Sequence, residues 1–364
     1  MSSAIRETEA VRRVIERAIA GRVFPAASIE VGSADEVLWN EAFGSVTYEP
    51  HAPSTTPDTP FDLASLTKVV ATSTIAMRLV DRGVVQLDSP VRAWVTEWQT
   101  PDRQAMTIRD LLEHRAGLPA WAPLFETCTG RTEFVTALDR CTLEYEPRTT
   151  SLYSDLDFIL LGCVLEAAGG ATLDRQLTGI LDGAFGLSHA MDLTYRPPAD
   201  RLERIAPTRV ASGRSRRLVG EVDDDNAWAL GGVAGHAGLF GTAGALGQFA
   251  RAAMRSLRGD EDTGRQLARQ DTMRTFVTPS SIAGSSRALA WDTMRPTSSC
   301  GGRMSPEAFG HTGFTGTSLW IDPRLGIYVV LLTNRVHPQA GAAGPIQSVR
   351  RAVHDAIIDS LGRI

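Results

Sequence analysis

The chain holds a single lysine, and this lysine lies three residues after a serine. Of the 37 lysine and arginine residues, only Lys68 is a lysine. Arginine stays protonated at any ordinary pH, whereas a desolvated lysine can lose its proton and act as a base. Residues three apart on a helix share a face, so Lys68 can meet the hydroxyl of Ser65. We therefore predict that Ser65 is a nucleophile, and that burial lowers the pKa of Lys68 so that it takes the serine proton.

A tyrosine opens a later helix, in Tyr153-Ser154-Asp155. A tyrosine beside a cationic lysine can have a lowered pKa and carry protons to a leaving group or from a water. Taken alone, this motif favours a simpler interpretation, in which Tyr153 is an aromatic residue that packs on the core where the helix begins.

A glycine-rich stretch, residues 310–317, leads directly into a strand. Small residues let a substrate lie beside a strand edge, and a backbone N–H there can point at a carbonyl oxygen. Taken alone, the stretch fits a glycine-rich turn equally well.

The three motifs together resemble those of the serine β-lactamase and penicillin-binding-protein superfamily, in type and in order. Further stretches, residues 107–114, 235–240 and 310–323, resemble the class C-type branch, which includes family VIII carboxylesterases and D-aminopeptidases. The resemblance runs over most of the chain. The motifs that carry it are Ser65-Leu66-Thr67-Lys68, Tyr153-Ser154-Asp155 and His311-Thr312-Gly313.

The resemblance implies a role for each matching residue. Ser65 is the implied nucleophile, Lys68 its base and Tyr153 the second proton carrier. The N–H groups of Ser65 and Phe314 are the implied oxyanion hole. Further residues are expected to contact the substrate: Asp155, His236, His311, Thr312 and Gly313.

Two positions depart from the family pattern. Asp155 stands where the family usually has asparagine, and a carboxylate near Lys68 favours the charged lysine. Either Asp155 points away, or Tyr153 carries more of the base role. His311 replaces the lysine of K-T-G, and a mostly neutral histidine supplies less positive charge for anionic substrates. Esters and simple amides are favoured as a result. Arg335 can restore some charge at the site, but a surface arginine is the favoured interpretation of this residue.

Other interpretations of single motifs are weaker. Ser154-Asp155 can be matched to an S-D-N motif, but Leu156 then occupies the asparagine position. His236 invites a Ser-His-Asp triad with Asp62 or Asp223, yet no G-x-S-x-G elbow exists. Residues 223–226 resemble a cation loop without its glycine and distal glutamate, so a helix cap is favoured. No metal site and no cofactor are predicted.

Hydrophobic periodicity predicts strands at both ends of the chain and helices between them. We predict an α/β (α+β) fold of the β-lactamase/transpeptidase type, in which both chain ends form one antiparallel sheet flanked by terminal helices. Residues 1–64 and 285–364 are expected to form the sheet domain and residues 65–284 a mainly helical domain, with the active site between them. The expected hairpins are 28–43 and 318–332, and the expected helices are 66–82, 107–114, 155–168, 246–257 and 346–361.

Composition excludes several classes of protein. A net charge of −5 argues against a nucleic-acid surface, and the basic stretch at residues 201–217 is expected to be a solvated loop. No segment approaches the ~18 continuous apolar residues of a membrane span. The amphipathic N-terminus lacks the apolar block of a signal peptide, which predicts a cytoplasmic protein. The four cysteines lack C-x-x-C spacing, so neither zinc nor a disulfide framework is indicated.

These observations predict a serine hydrolase that acylates Ser65 and releases the acyl group to water. The first expectation is a carboxylesterase acting on short-chain esters. A β-lactamase, a D-alanyl-D-alanine carboxypeptidase or a D-aminopeptidase-like amidase is the alternative. Another class remains open: a penicillin-binding sensor that acylates without turnover, or a scaffold that only binds. The expected partner is a small ester or amide, and the sequence leaves the oligomeric state open.

Overall fold

A six-stranded antiparallel sheet joins the two ends of the chain. The computed structural model describes residues 8–184, 193–211, 214, 216–260, 266–341 and 343–361. The strands are β1 (Ala26–Gly32), β2 (Val37–Gly44), β3 (Phe61–Asp62), β4 (Leu193–Tyr195), β5 (Val210–Ala211), β6 (Arg216–Arg217), β7 (Leu239–Gly241), β8 (Asp292–Thr293), β9 (Phe309–Thr312), β10 (Ser318–Asp322) and β11 (Ile327–Thr333). The large sheet has the order β2-β1-β11-β10-β9-β8, and β3-β7-β4 and β5-β6 form smaller sheets.

The helices lie mostly in the middle of the chain. They are α1 (Glu9–Ala20), α2 (Ser73–Asp81), α3 (Ile108–Leu112), α4 (Gly130–Arg140), α5 (Asp155–Gly169), α6 (Leu173–Ala184), α7 (Asp225–Ala229), α8 (Ala243–Arg258), α9 (Gln270–Val277) and α10 (Gly344–Leu361). Short 3-10 turns occupy Val91–Ala93, Pro101–Arg103, Leu124–Glu126 and Ala199–Arg204. The predicted helices and hairpins are all found, with ends shifted by a few residues.

The central strand β11 is buried on both faces, as its unbroken apolar run predicts. Val329 and Leu331 lie in one apolar cluster with residues of α1 and α10. Val330 and Leu332 belong to the other cluster, which includes residues of α8. The sheet is therefore covered by the terminal helices on one face and by α8 on the other.

The helix that follows Ser65 is not uniform. Residues Lys68–Thr72 form a π-helical turn before α2, where the sequence predicts one continuous helix. All five residues of this turn are buried. A π-turn inserts an extra residue into the helical repeat and is common at functional sites. It widens the helix at the position from which Lys68 projects.

The predicted fold class is confirmed by this antiparallel sheet and its helical layers. The division into two domains stays a prediction, and α8, from the middle of the chain, packs on β1 and β11. Within the described ranges, no single helix is long and apolar enough to cross a membrane. The pair α5 and α6, bent by 65°, meets that test jointly by length and composition.

Asn334 ties three segments together directly after β11. It is 1% exposed. Its side-chain oxygen accepts the N–H of Ala26 at 3.2 Å, and its amide donates to the carbonyls of Val46 at 2.9 Å and Pro207 at 3.0 Å. Removing the amide would leave buried backbone groups without partners, and such groups are costly.

We therefore predict that Asn334→Ala lowers the free energy of unfolding by about 3 kcal/mol in chemical denaturation. The control is Glu16→Ala on the exposed face of α1, expected to stay within about 0.5 kcal/mol of the parent. Equal stabilities for the two variants would contradict the role given to Asn334.

Candidate active site

Ser65 and Lys68 form the contact that their spacing predicts. The Lys68 ammonium lies 3.1 Å from the Ser65 hydroxyl oxygen, and Lys68 is 0% exposed. The turn before the serine is held by Asp62, whose carboxylate accepts the N–H of Ala64 at 2.8 Å. Ala64 has a φ of +48°, a conformation that L-residues rarely adopt. The serine is therefore presented at a constrained turn, with its hydroxyl against the only lysine.

Asp155 points directly at Lys68. Its carboxylate accepts the Lys68 ammonium at 2.6 Å, and the carbonyl of His236 accepts it at 3.2 Å. Burial acts to lower the pKa of Lys68, but Asp155 and Tyr153 outweigh it and the pKa is raised. The expectation of a lowered lysine pKa is thus wrong, because a carboxylate replaces the family's neutral amide. At neutral pH, Lys68 is an ammonium group.

Tyr153 lies over the same lysine. Its ring centre is 4.8 Å from the Lys68 nitrogen and 4.7 Å from the ring centre of His114. Burial raises the pKa of Tyr153, and the nearby lysine cation offsets this only in part. The expected lowering is therefore wrong here too, and the phenol is neutral at pH 7. Tyr153 lines the cavity and is partly exposed, unlike an aromatic residue sealed in a core.

The protonation of these side chains decides what the site can do. With Lys68 charged and Tyr153 neutral, neither is free to accept the proton of Ser65. One proton must leave Lys68 or Tyr153 before a base exists. Because these two groups interact strongly, they titrate as a unit. Loss of that proton is the step that would make a base available to Ser65.

Two backbone N–H groups near the serine are available to an oxyanion. Neither Ser65 N–H nor Phe314 N–H has a hydrogen-bond acceptor in the part of the chain that the structure describes. The loop after β9 approaches the serine turn closely, since a Cβ on Gly313 would lie 2.5 Å from the carbonyl oxygen of Leu63. The Thr317 hydroxyl donates to that same carbonyl at 3.0 Å. Two such donors are what a tetrahedral intermediate requires.

His311 is neutral. Its ring Nδ1 donates to the carbonyl of Thr312 at 2.8 Å, which leaves Nε2 as an acceptor without a partner among the described residues. Burial and the Arg287 cation hold the pKa of His311 well below its usual value. Its ring centre lies 5.6 Å from that of Tyr153. The position of the family's lysine therefore carries no charge.

His236 is paired with Asp224. Its ring Nε2 lies 2.8 Å from a carboxylate oxygen of Asp224. Burial acts to raise the pKa of Asp224, but the His236 imidazole outweighs burial and the pKa is lowered to about 2. In the Ser-His-Asp triad considered above, the His236 ring would be paired with Asp62 or Asp223, and it is paired with neither. Asp224 also accepts the N–H of Ala227 at 2.7 Å and caps α7, so the predicted helix cap is confirmed.

These side chains line one cavity of about 650 Å³. Arginines also line its wall, and no local motif in the sequence marks Arg287. Arg287 lies over the Tyr153 ring, with its guanidinium carbon 4.8 Å from the ring centre. Arg209 also reaches the cavity, so the expectation of a solvated loop is wrong for this residue of the basic stretch. The surface position favoured for Arg335 is wrong as well, since Arg335 is buried on the cavity wall. The predicted site residues found on the wall are Ser65, Tyr153, Asp155, His236, His311, Thr312, Gly313 and Phe314.

Known proteins share this architecture. The family model described as Beta-lactamase matches residues 11–353. A putative D-alanyl-D-alanine carboxypeptidase of Escherichia coli (strain K12) is 29% identical, over 86% of this chain and 79% of that protein. An N-acetylmuramyl-L-alanine amidase of Bacillus subtilis (strain 168) is 30% identical, over 90% of this chain and 80% of that protein.

Solved structures resemble the fold at lower identity. EstCE1, a hydrolase with promiscuous acyltransferase activity, superposes with a TM-score of 0.74 at 20% identity, covering 95% of this chain and 98% of its own. A class C beta-lactamase gives a TM-score of 0.76 at 17% identity, covering 98% and 97%. At such identities the likeness establishes the fold alone.

Ser65 reactivity should depend on pH through the Lys68 pKa. We expect the rate at which a fluorophosphonate labels the parent protein to increase as the pH is raised into the alkaline range, because the unit that contains Lys68 loses a proton there. Asp155→Asn removes the carboxylate that raises the Lys68 pKa, so the midpoint of the increase in labelling rate should move down by about one pH unit or more. The measurement is the labelling rate of each variant as a function of pH.

The matched control is Asp88→Asn, which removes an exposed carboxylate bound to Arg109 on the surface. It should leave the midpoint unchanged, and Ser65→Ala should abolish labelling. An Asp155→Asn midpoint equal to that of the parent would contradict the coupling.

Proposed function

We propose that this chain, which belongs to the β-lactamase family and is a serine hydrolase, cleaves esters of short carboxylic acids through an acyl-enzyme on Ser65. The observation that carries the proposal is the 3.1 Å contact between the Ser65 hydroxyl and the Lys68 ammonium inside a cavity. The N–H groups of Ser65 and Phe314, which have no acceptor among the described residues, belong to residues that line this cavity and support the proposal. The proposed partner is a small ester, and a cytoplasmic location stays a prediction.

Acylation starts with attack of the Ser65 oxygen on the ester carbonyl carbon. The serine proton passes to the base made available by Lys68 and Tyr153, and the carbonyl oxygen becomes an oxyanion between the N–H groups of Ser65 and Phe314. The C–O bond to the alcohol then breaks, and the departing alkoxide takes a proton from the same pair. An acyl-serine and a free alcohol result.

Deacylation repeats these steps with water in place of the serine. Water gives its proton to the base, attacks the acyl carbon and forms a second oxyanion in the same hole. Ser65 leaves with a proton returned from the pair, and a carboxylic acid departs. Tyr153 lines the cavity together with Ser65, which supports its role as a proton carrier in both steps.

The neutral His311 supports uncharged esters as substrates. A second candidate, hydrolysis of amides or lactams that bear a carboxylate, is favoured by Arg287. Among the described residues, no carboxylate lies within ion-pair distance of this guanidinium, although it faces the cavity above Tyr153. Two relatives, named as a putative D-alanyl-D-alanine carboxypeptidase and an N-acetylmuramyl-L-alanine amidase, agree with that candidate.

A substrate panel separates the two candidates. We predict that kcat/KM for p-nitrophenyl acetate exceeds that for nitrocefin by at least ~100-fold, or about 2.7 kcal/mol in transition-state stabilisation. The reason is that an uncharged pocket position replaces the family's lysine. Efficient nitrocefin or D-alanyl-D-alanine hydrolysis would instead place the second candidate first.

The same ester gives the burst measurement. Sustained turnover supports the hydrolase, whereas stoichiometric release of p-nitrophenol without turnover would identify a sensor. If no p-nitrophenol is released, the protein only binds its ligand.

Arg287→Gln should affect only substrates that carry a carboxylate. We expect kcat/KM for such substrates to fall about tenfold or more, since a charge-assisted contact is lost, while that for p-nitrophenyl acetate stays nearly constant. Arg274→Gln, which removes an exposed arginine from α9, is the control for net charge. An equal loss on both substrates would show that Arg287 acts on the chemistry rather than on recognition.

A further inference from the structure

Arg350 is a buried arginine whose side-chain hydrogen bonds to the described residues are all to backbone carbonyls. It lies on α10, is 5% exposed, and donates to the carbonyls of Gly313 at 2.8 Å and Thr317 at 2.7 Å. Burial, with the Arg335 cation, lowers the pKa of Arg350 to about 9, so it is still charged at pH 7. Within the described ranges, no carboxylate forms an ion pair with it. Burying such a charge is costly, so its position needs an explanation.

The two carbonyls belong to the turn that carries the Phe314 N–H. Gly313 donates its own N–H to the Thr317 carbonyl at 2.8 Å, which closes the turn on itself. Arg350 therefore clamps both sides of the turn with one nitrogen atom. The turn is held from the opposite direction by the Thr315 hydroxyl, which donates to the carbonyl of Asp62 at 2.7 Å.

Peptide geometry links the clamp to the oxyanion hole. The carbonyl of Gly313 and the N–H of Phe314 belong to the same planar trans peptide, so they point in opposite directions. When Arg350 holds the carbonyl oxygen, the orientation of the Phe314 N–H is set as well. A hydrogen bond from a cation to the carbonyl also polarises the amide and makes its N–H a stronger donor.

Arg350 also lines the cavity. We infer that it is a positioning residue of the oxyanion hole, which fixes and polarises the Phe314 N–H through the Gly313 carbonyl. The inference rests on the acyl-enzyme mechanism proposed above. Arg350 needs no contact with the substrate in this role. Uncharged esters and boronic acids, which have no carboxylate for an arginine to bind, therefore report on it directly.

The experiment compares Arg350→Gln and Arg350→Lys with Arg351→Gln. Arg351 is a matched control, since it is the next residue of α10 and also donates to a backbone carbonyl, that of Ser298, at 2.6 Å. Three quantities are measured for each variant: kcat and KM for p-nitrophenyl acetate, the Kd of phenylboronic acid, and the Tm. Phenylboronic acid forms a tetrahedral adduct with an active-site serine, so its affinity depends on the oxyanion hole.

Arg350→Gln is expected to lower kcat by about 10- to 100-fold with little change in KM, and to weaken boronic acid binding by a similar factor. Arg350→Lys keeps the charge and one donor, so it should recover part of both losses. Arg351→Gln should change kcat and the boronic acid Kd less than about twofold, even if its Tm falls.

A purely structural Arg350 gives another pattern. In that case Arg350→Gln and Arg351→Gln lose Tm alike while kcat and boronic acid affinity stay at parent values, and the inference is overturned. If Arg350→Gln does not fold, the kcat and the boronic acid Kd of Arg350→Lys distinguish the two roles instead. A parent that binds phenylboronic acid but hydrolyses no ester would defeat the proposed function alone, since the boronic acid comparison still tests Arg350.

Discussion

The ion pair between Lys68 and Asp155 is the interaction on which the rest of the site depends. At 2.6 Å and with the lysine fully buried, it keeps a charge stable where burial alone would remove it. The ammonium also donates to the Ser65 hydroxyl and to the carbonyl of His236, so it joins three parts of the chain at one point. Loss of the carboxylate would leave a buried cation without compensation, or a neutral lysine.

This ion pair changes the usual account of a serine–lysine site. A lysine that is neutral at rest needs no further step before it accepts a proton. Here the resting lysine is charged, and the acceptor arises only when a proton leaves Lys68 or Tyr153. The raised pKa of Tyr153 means that the phenol adds no ready base of its own. The Ser65 hydroxyl thus already lies against Lys68, while the charge on the lysine withholds the base that the proposed mechanism needs.

Local patterns in the sequence predicted the local parts of this structure. Ser65 and Lys68 meet because i and i+3 positions share a helix face, and the hairpins follow from alternation around turns. Asp155 was recognised as a departure, yet the direction of its side chain depends on how α5 packs against the lysine turn. Arg287 and Arg350 stand far from every motif in the chain. Only the assembled fold brings these two arginines to the cavity, so no local sequence motif could predict their positions.

Charge pairing decides what an incoming substrate meets. The carboxylate of Asp155 is bound by Lys68, that of Asp224 by His236, and that of Asp225 by Arg214. These acidic groups present little free negative charge, because each already has a cationic or imidazole partner.

Arg287 has no such carboxylate partner among the described residues, not even Asp292 of its own hairpin. Although a neutral histidine replaces the family's lysine, the wall beside Tyr153 still carries the Arg287 cation. The field of this cation therefore favours a substrate that carries a negative charge of its own.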